Sequence, residues 1–224
     1  MENNKEVKLQ RLQRTDGTAL SENAYNGIIG LTLLWGIGIN VLMSLFLTPF
    51  ILGIDFRILI VVYLIGSFGF SFMVYKSKSP ALSFLGFTGL AVSMGLILVP
   101  FIAMYSAAAV YSAFLATGIV VVAMMLLSTI FPAFFLKMGR VLVFALLGAI
   151  IVELIFGLLL HFPLGYMDYI VVVIFAGLVG FDWAKAQMYP KTLDNAIDSA
   201  ADIYVDIINI FVRILSIVGN NDSK

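Results

Sequence analysis

The chain has 224 residues, 62% of them hydrophobic and only 12% charged, with a formal net charge of zero. Soluble domains carry about 25% charged residues, so this composition describes a polytopic membrane protein and excludes a basic nucleic-acid-binding surface. Cysteine is absent, which excludes disulfides, thiolate chemistry and cysteine metal sites.

The first 24 residues are too polar for a signal peptide and lack its apolar core and small-residue cleavage site, so the first hydrophobic run is expected to stay attached as a true span. From Lys5 to Arg14, cations alternate with Val7, Leu9 and Leu12. That pattern suits either an amphipathic segment on an anionic leaflet or a frayed polar tail.

A spanning helix needs about 20 apolar residues. Seven runs meet this: Gly27–Phe50, Arg57–Tyr75, Pro80–Val99, Ser106–Ile130, Val141–Leu160, Met167–Trp183 and Ala196–Gly219. The stretch Ser128–Leu136 extends the fourth run, with Pro132 able to kink or end it. Short connections make residues 27–219 one all-α bundle between the N-terminal segment and a tail of residues 220–224.

With the N-terminus in the cytoplasm, ten of the 13 Lys and Arg fall inside: Lys5, Lys8, Arg11, Arg14, Lys76, Lys78, Lys137, Arg140, Lys185 and Lys191. Arg57 and Lys224 fall outside, and Arg213 lies in the last run. The asymmetry predicts a seven-transmembrane-helix integral membrane protein with its N-terminus inside and its C-terminus outside. Tyr75, Trp183 and Tyr189 then read as inner interfacial anchors, and Tyr105, Tyr166 and Tyr169 as outer ones. Gly27 with Gly30, Gly86 with Gly89 and Gly177 with Gly180 read as packing glycines for close helix approach.

The chemistry concentrates near the C-terminus. Asp194, Asp198, Asp202 and Asp206 recur every fourth residue, and the last lies within an apolar run. At 100° per residue, Ser199, Asp202, Asp206, Asn209 and Arg213 share an arc of about 80°, a polar seam on a greasy helix. Asp182 closes the sixth run, and residue 194 is its midpoint with Asp206. A turn at Pro190–Leu193 would therefore bring the two acids to similar depth in an antiparallel hairpin. Two carboxylates meeting in a low dielectric share a proton and titrate as a coupled pair, which makes a pH-sensitive latch.

Val179–Gln187, VGFDWAKAQ, followed by Ala201–Phe211, ADIYVDIINIF, resembles the Bax inhibitor-1 family. In that family one Asp ends the sixth helix and a second lies in a motif on the seventh. Asp182 and Asp206 fall on those positions, and Ile207, Ile208, Asn209, Ile210 and Phe211 continue the second motif. The resemblance implies a heptahelical protein that leaks calcium in a pH-dependent way, its two aspartates bridging helices in the closed state. It also implies a bacterial plasma membrane location, with no cofactor and with calcium as permeant ion. Partners would be the bilayer, calcium, protons and a membrane protein such as an ATP-dependent protease. Family members often place an arginine near the cytoplasmic end of the second span. This chain offers Lys76 or Lys78, which cannot make arginine's bidentate fork.

Several roles remain open on the residues themselves. Asp182 and Asp206 are transient calcium ligands or a structural pair. Asp202 extends an ion path or reaches interfacial water, and Asn209 continues its face. Arg213 is a counter-charge or snorkels outward. Glu153 is a polar helix contact or a ligand on an ion path. Asp194 and Asp198 are assigned to a solvated first turn and Asp168 to a helix start, where the helix dipole favours acids. His161 is assigned to an outer loop.

Three functions compete: a pH-gated cation leak, a non-catalytic regulator of a membrane protease or cell-death factor, and an intramembrane aspartyl protease. The last lacks the Gly-x-Gly-Asp signature, and with one histidine outside the core a Ser–His dyad is disfavoured.

Overall fold

The computed structural model describes residue 11 and residues 19–159 and 165–222. The proposed surface segment Lys5–Arg14, apart from Arg11, lies outside the described residues, as do His161 and Lys224. Among the described residues there are eight α-helices and no strand. They are α1 (Glu22–Leu42), α2 (Thr48–Leu52), α3 (Phe56–Lys76), α4 (Pro80–Ile102), α5 (Ala107–Ile130), α6 (Pro132–Glu153), α7 (Met167–Met188) and α8 (Leu193–Asp222). Wider π-helical turns, Met43–Leu47 and Leu154–Leu159, follow α1 and α6.

Local chemistry sets the helix starts. Ser21 caps α1 by accepting from the Ala24 amide, Ser106 caps α5 by accepting from Ala109, and Asp55 accepts from Arg57 at α3. Pro80 and Pro132 open α4 and α6, where the missing N–H is harmless. Pro132 therefore begins the fifth long helix instead of extending the fourth. The run placed at Val141–Leu160 begins nine residues earlier, at Pro132, because proline's fixed φ suits a first turn and breaks an interior one.

Among the described residues six helices are long and apolar enough to cross a bilayer: Glu22–Phe46, Phe56–Lys76, Pro80–Ile102, Ala107–Ile130, Pro132–Phe156 and Met167–Met188. Their outward faces are apolar: Phe46, Phe68, Ile119 and Val173 are each at least 70% exposed, a surface that only lipid solvates favourably. Helix α8 has the length of a span but carries the acidic seam.

The chain forms two compact units. The first comprises residues 1–104 and 188–204, the second residues 105–187 and 205–224, so α8 contributes to both. In the first unit, α3 and α4 pack as a hairpin and α1 packs against α4. Val74 presses on Gly86 and the Phe70 ring lies on Gly89, where any added Cβ would collide. Gly36 on α1 receives the rings of Phe87 and Tyr204, which meet edge to face at 5.3 Å. Gly27 and Gly30 face open space, so that pair, unlike the other two, makes no close approach.

In the second unit, α6 and α7 interlock reciprocally. Phe135 of α6 fills the space above Gly180 of α7, and Phe181 of α7 fills that above Gly139 of α6. Leu142 adds a third contact on Gly177. Ser128 of α5 donates to the Gly180 carbonyl, and Trp183 donates to Thr129 at 2.9 Å. These contacts hold the stretch of α7 that carries Asp182.

Candidate functional site

Tyr189–Thr192 links α7 to α8, which begins at Leu193. The link is centred ahead of residue 194, so the relative depth of Asp182 and Asp206 depends on helix tilt as well as on the sequence midpoint. Both residues belong to the second unit. Asp182 lies near the end of α7, 13% exposed, and its Oδ1 accepts from Lys185 Nζ at 3.1 Å across one helical turn. Asp206 is 6% exposed on α8, flanked by buried Ile207 and Ile208. Asn209 donates to the Val205 carbonyl of its own helix at 2.8 Å.

Arg213 meets two carboxylates. Its Nη2 donates to Glu153 Oε2 at 2.8 Å, and its Nη1 donates to Glu153 Oε1 and, at 2.8 Å, to Asp168 Oδ1. Ser216 donates to the other Asp168 oxygen at 2.7 Å. The planar guanidinium fork matches Glu153 bidentately. One arginine thus ties the end of α6 and the start of α7 to α8, and Asp168 serves as more than a dipole partner.

In the first unit, the start of α8 is buried, which corrects the placing of Asp194 and Asp198 in a solvated turn. Asp194 is 5% and Asp198 0% exposed. Asp194 accepts from Ser83 Oγ at 2.6 Å. Asp198 faces Arg11 Nε at 3.7 Å, and Asp202 accepts from Arg11 Nη1 at 3.1 Å and from the Tyr75 hydroxyl at 2.7 Å. Helix propensity favours acids in a first turn whether or not they face water, so only the packed chain distinguishes the two.

Arg11 is the residue that sequence reasoning missed. Expected at a lipid surface or in a frayed tail, it is instead 2% exposed, its guanidinium carbon 4.1 Å above the Tyr189 ring. Tyr189 and Tyr75 therefore both serve a polar cluster, and Tyr189, 4% exposed, is buried rather than facing lipid as an anchor would. Burial works against the Arg11 charge, but Asp202 and Asp198 outweigh it and raise its pKa further. A group whose folded pKa is raised keeps its contribution below the unfolded value, so this arginine stays charged at every working pH. Lys76 and Lys78 are exposed at the end of α3 and just beyond it, with Lys76 Nζ 6.0 Å from the Phe72 ring centre. Lys191, in the link, stands 4.5 Å over the Tyr25 ring, and its carbonyl accepts from the Leu20 amide at 2.7 Å.

Tyr204 secures α8 deeper in the same unit. It is fully buried, and Asn40 Nδ2 donates to its hydroxyl at 2.7 Å. Among the described residues no group of three or more Asp, Glu or His is arranged to hold a metal ion.

Long apolar helices with lipid-facing surfaces and buried charge clusters define a multi-pass integral membrane protein. The family model described as inhibitor of apoptosis-promoting Bax1 matches residues 19–223, nearly the whole chain, and the protein belongs to the Bax inhibitor-1 family. No curated protein and no solved structure matches the chain.

Proposed function

We propose that the protein is a pH-sensitive cation leak with seven spans, N-terminus cytoplasmic and C-terminus outside, gated by a proton shared between Asp182 and Asp206. Calcium is the permeant ion, and a bacterial plasma membrane is the setting. The observation that carries this reading is Asp206, a carboxylate 6% exposed on an apolar stretch of α8, in a chain of this family. Charges kept at such depth ordinarily mark proton or ion paths.

Helix α8 has 30 residues, about 45 Å at 1.5 Å per residue, enough to serve as the seventh span. The distribution of Lys and Arg supports the orientation, since Lys137 and Arg140 occupy the first turns of α6 and Lys185 the last turn of α7. Because the chain lacks cysteine, single introduced cysteines report sidedness without background.

With one proton, the pair bears a single negative charge and bridges two helices. Losing that proton adds a second charge, the carboxylates repel, and the bridge weakens. Flux therefore rises with pH. Calcium prefers several hard oxygen ligands, and carboxylate oxygens with backbone carbonyls supply them transiently. No bond in a substrate is made or broken, so this activity is not enzymatic.

Calcium entry into liposomes, measured at about pH 6 and about pH 8, tests the reading, since a buried carboxyl pair titrates above an isolated Asp. Wild type should conduct more at the higher pH, and Asp206→Asn and Asp182→Asn should each abolish that difference. An unchanged pH response in both variants would sink the gating mechanism. Absence of flux from wild type at either pH would replace it with the regulator reading, for which co-purification of a membrane partner should survive both substitutions.

A further inference from the structure

The cluster around Arg11 is built for one kind of ligand. Nη1 donates to Asp202 Oδ2 at 3.1 Å, and Nη2 donates to Ser199 Oγ at 2.8 Å and to the Asn195 carbonyl at 3.3 Å. Nε faces Asp198 at 3.7 Å, and the flat face of the cation lies on Tyr189. Asn195 Nδ2 returns a bond to the Arg11 carbonyl at 3.2 Å, so main chain and side chain are held together. The receiving groups are themselves positioned: Tyr75 holds Asp202, and Tyr25 Oη lies 3.3 Å from Ser199 Oγ.

A buried ion pair is poor evidence of stabilisation, because desolvating its charges offsets most of their attraction, and apolar residues would pack this end of α8 as well. Planar donors in several directions, an aromatic face and two carboxylates instead match a guanidinium and not an ammonium. One arginine against Asp198 and Asp202 leaves the cluster with one net negative charge. Without Arg11, two carboxylates, a hydroxyl and a carbonyl would line a space that attracts other cations.

The geometry points to a guanidinium-binding site at the N-terminal end of α8, filled in cis by Arg11, whose occupancy closes the acidic start of that helix to other cations. The binding stands on the contacts alone, and its consequence for flux rests on the leak reading above.

The test uses the full chain with Ala196→Cys, a fully buried position beside Asn195, as its single cysteine, in the Arg11 and Arg11→Ala backgrounds. Thiol labelling should be at least about tenfold faster in Arg11→Ala, the factor for about 1.4 kcal/mol of lost contact. Methylguanidinium should slow it again, whereas methylammonium at equal concentration should not. In liposomes, Arg11→Ala should raise cation flux at fixed pH, with methylguanidinium lowering it. Unchanged labelling, or equal protection by both cations, overturns the binding site. Faster labelling with unchanged flux overturns the closure. Arg11→Lys guards against misfolding of the alanine variant: it keeps the charge and loses the fork, so it should label quickly, and wild-type protection there would overturn guanidinium selectivity. If wild type conducts no cation at all, the leak reading fails while labelling still decides the binding site.

Discussion

Helix α8 carries two arginine clusters with the same charge count and opposite surroundings. In the first unit, Arg11 faces Asp198 and Asp202, and the three side chains are 2%, 0% and 16% exposed. In the second, Arg213 faces Glu153 and Asp168 at 27%, 28% and 14%. With equal charges, the two clusters differ in burial, the factor that governs what breaking a pair costs. Breaking a fully buried pair strands a charge, whereas a partly exposed one loses less. The clusters also differ in reach. Arg213 joins the ends of two helices that are themselves interlocked, while Arg11 ties a residue outside every candidate span to one almost 200 positions away, a separation of 191.

Removing Arg11 should therefore produce the largest effect. Arg11→Met strands Asp198 and Asp202 and should destabilise the protein by about 3–5 kcal/mol, read as a lowered unfolding midpoint in detergent. Adding Asp198→Asn and Asp202→Asn to that variant should restore much of the loss, and failure to do so would mean that the arginine acts through packing alone.

Overpacking the second unit is the next step down. Gly180→Leu collides with Phe135 and should cost about 1–3 kcal/mol, loosening the α6–α7 contact that holds the stretch of α7 carrying Asp182. Gly27→Leu, at open space, serves as the matched control and should leave stability nearly unchanged.

Tyr75→Phe removes one bond to a charged carboxylate and should cost about 1.5 kcal/mol. The smallest effect belongs to Arg213→Gln, at under about 1 kcal/mol once solvent screening is counted. Its sensitivity to salt should be the larger of the two clusters, because about 1 M salt shortens the Debye length to about 3 Å. Equal salt dependence of Arg11→Met and Arg213→Gln would erase the proposed contrast in burial.

The long helices were legible because lipid demands apolar length, and composition shows that directly. Asp182 and Asp206 stood out because carboxylates in apolar runs are rare. The reciprocal notches of Phe135 and Phe181 were harder to see: Gly177 and Gly180 were legible as packing glycines, but nothing in the sequence names Gly139 as their counterpart. Tyr75 and Tyr189 carry the composition of interfacial anchors, and an aromatic residue with a polar tip suits a membrane interface and a buried cation equally well. The alternation from Lys5 to Arg14 likewise fits a lipid surface, and periodicity alone contains no signal that one of its cations is buried on α8.

Sequence alone determined the membrane class, the approximate placement of the long helices, the polar seam of α8 and the family motif, because each follows from local composition or fixed spacing along one helix. Tertiary structure decided which charges meet: Arg11 with Asp198 and Asp202, Arg213 with Glu153 and Asp168, and Ser83 with Asp194. Partner choice depends on helices packing closely enough to exclude water between residues far apart in the chain, and that exclusion is a property of the folded assembly rather than of any segment within it.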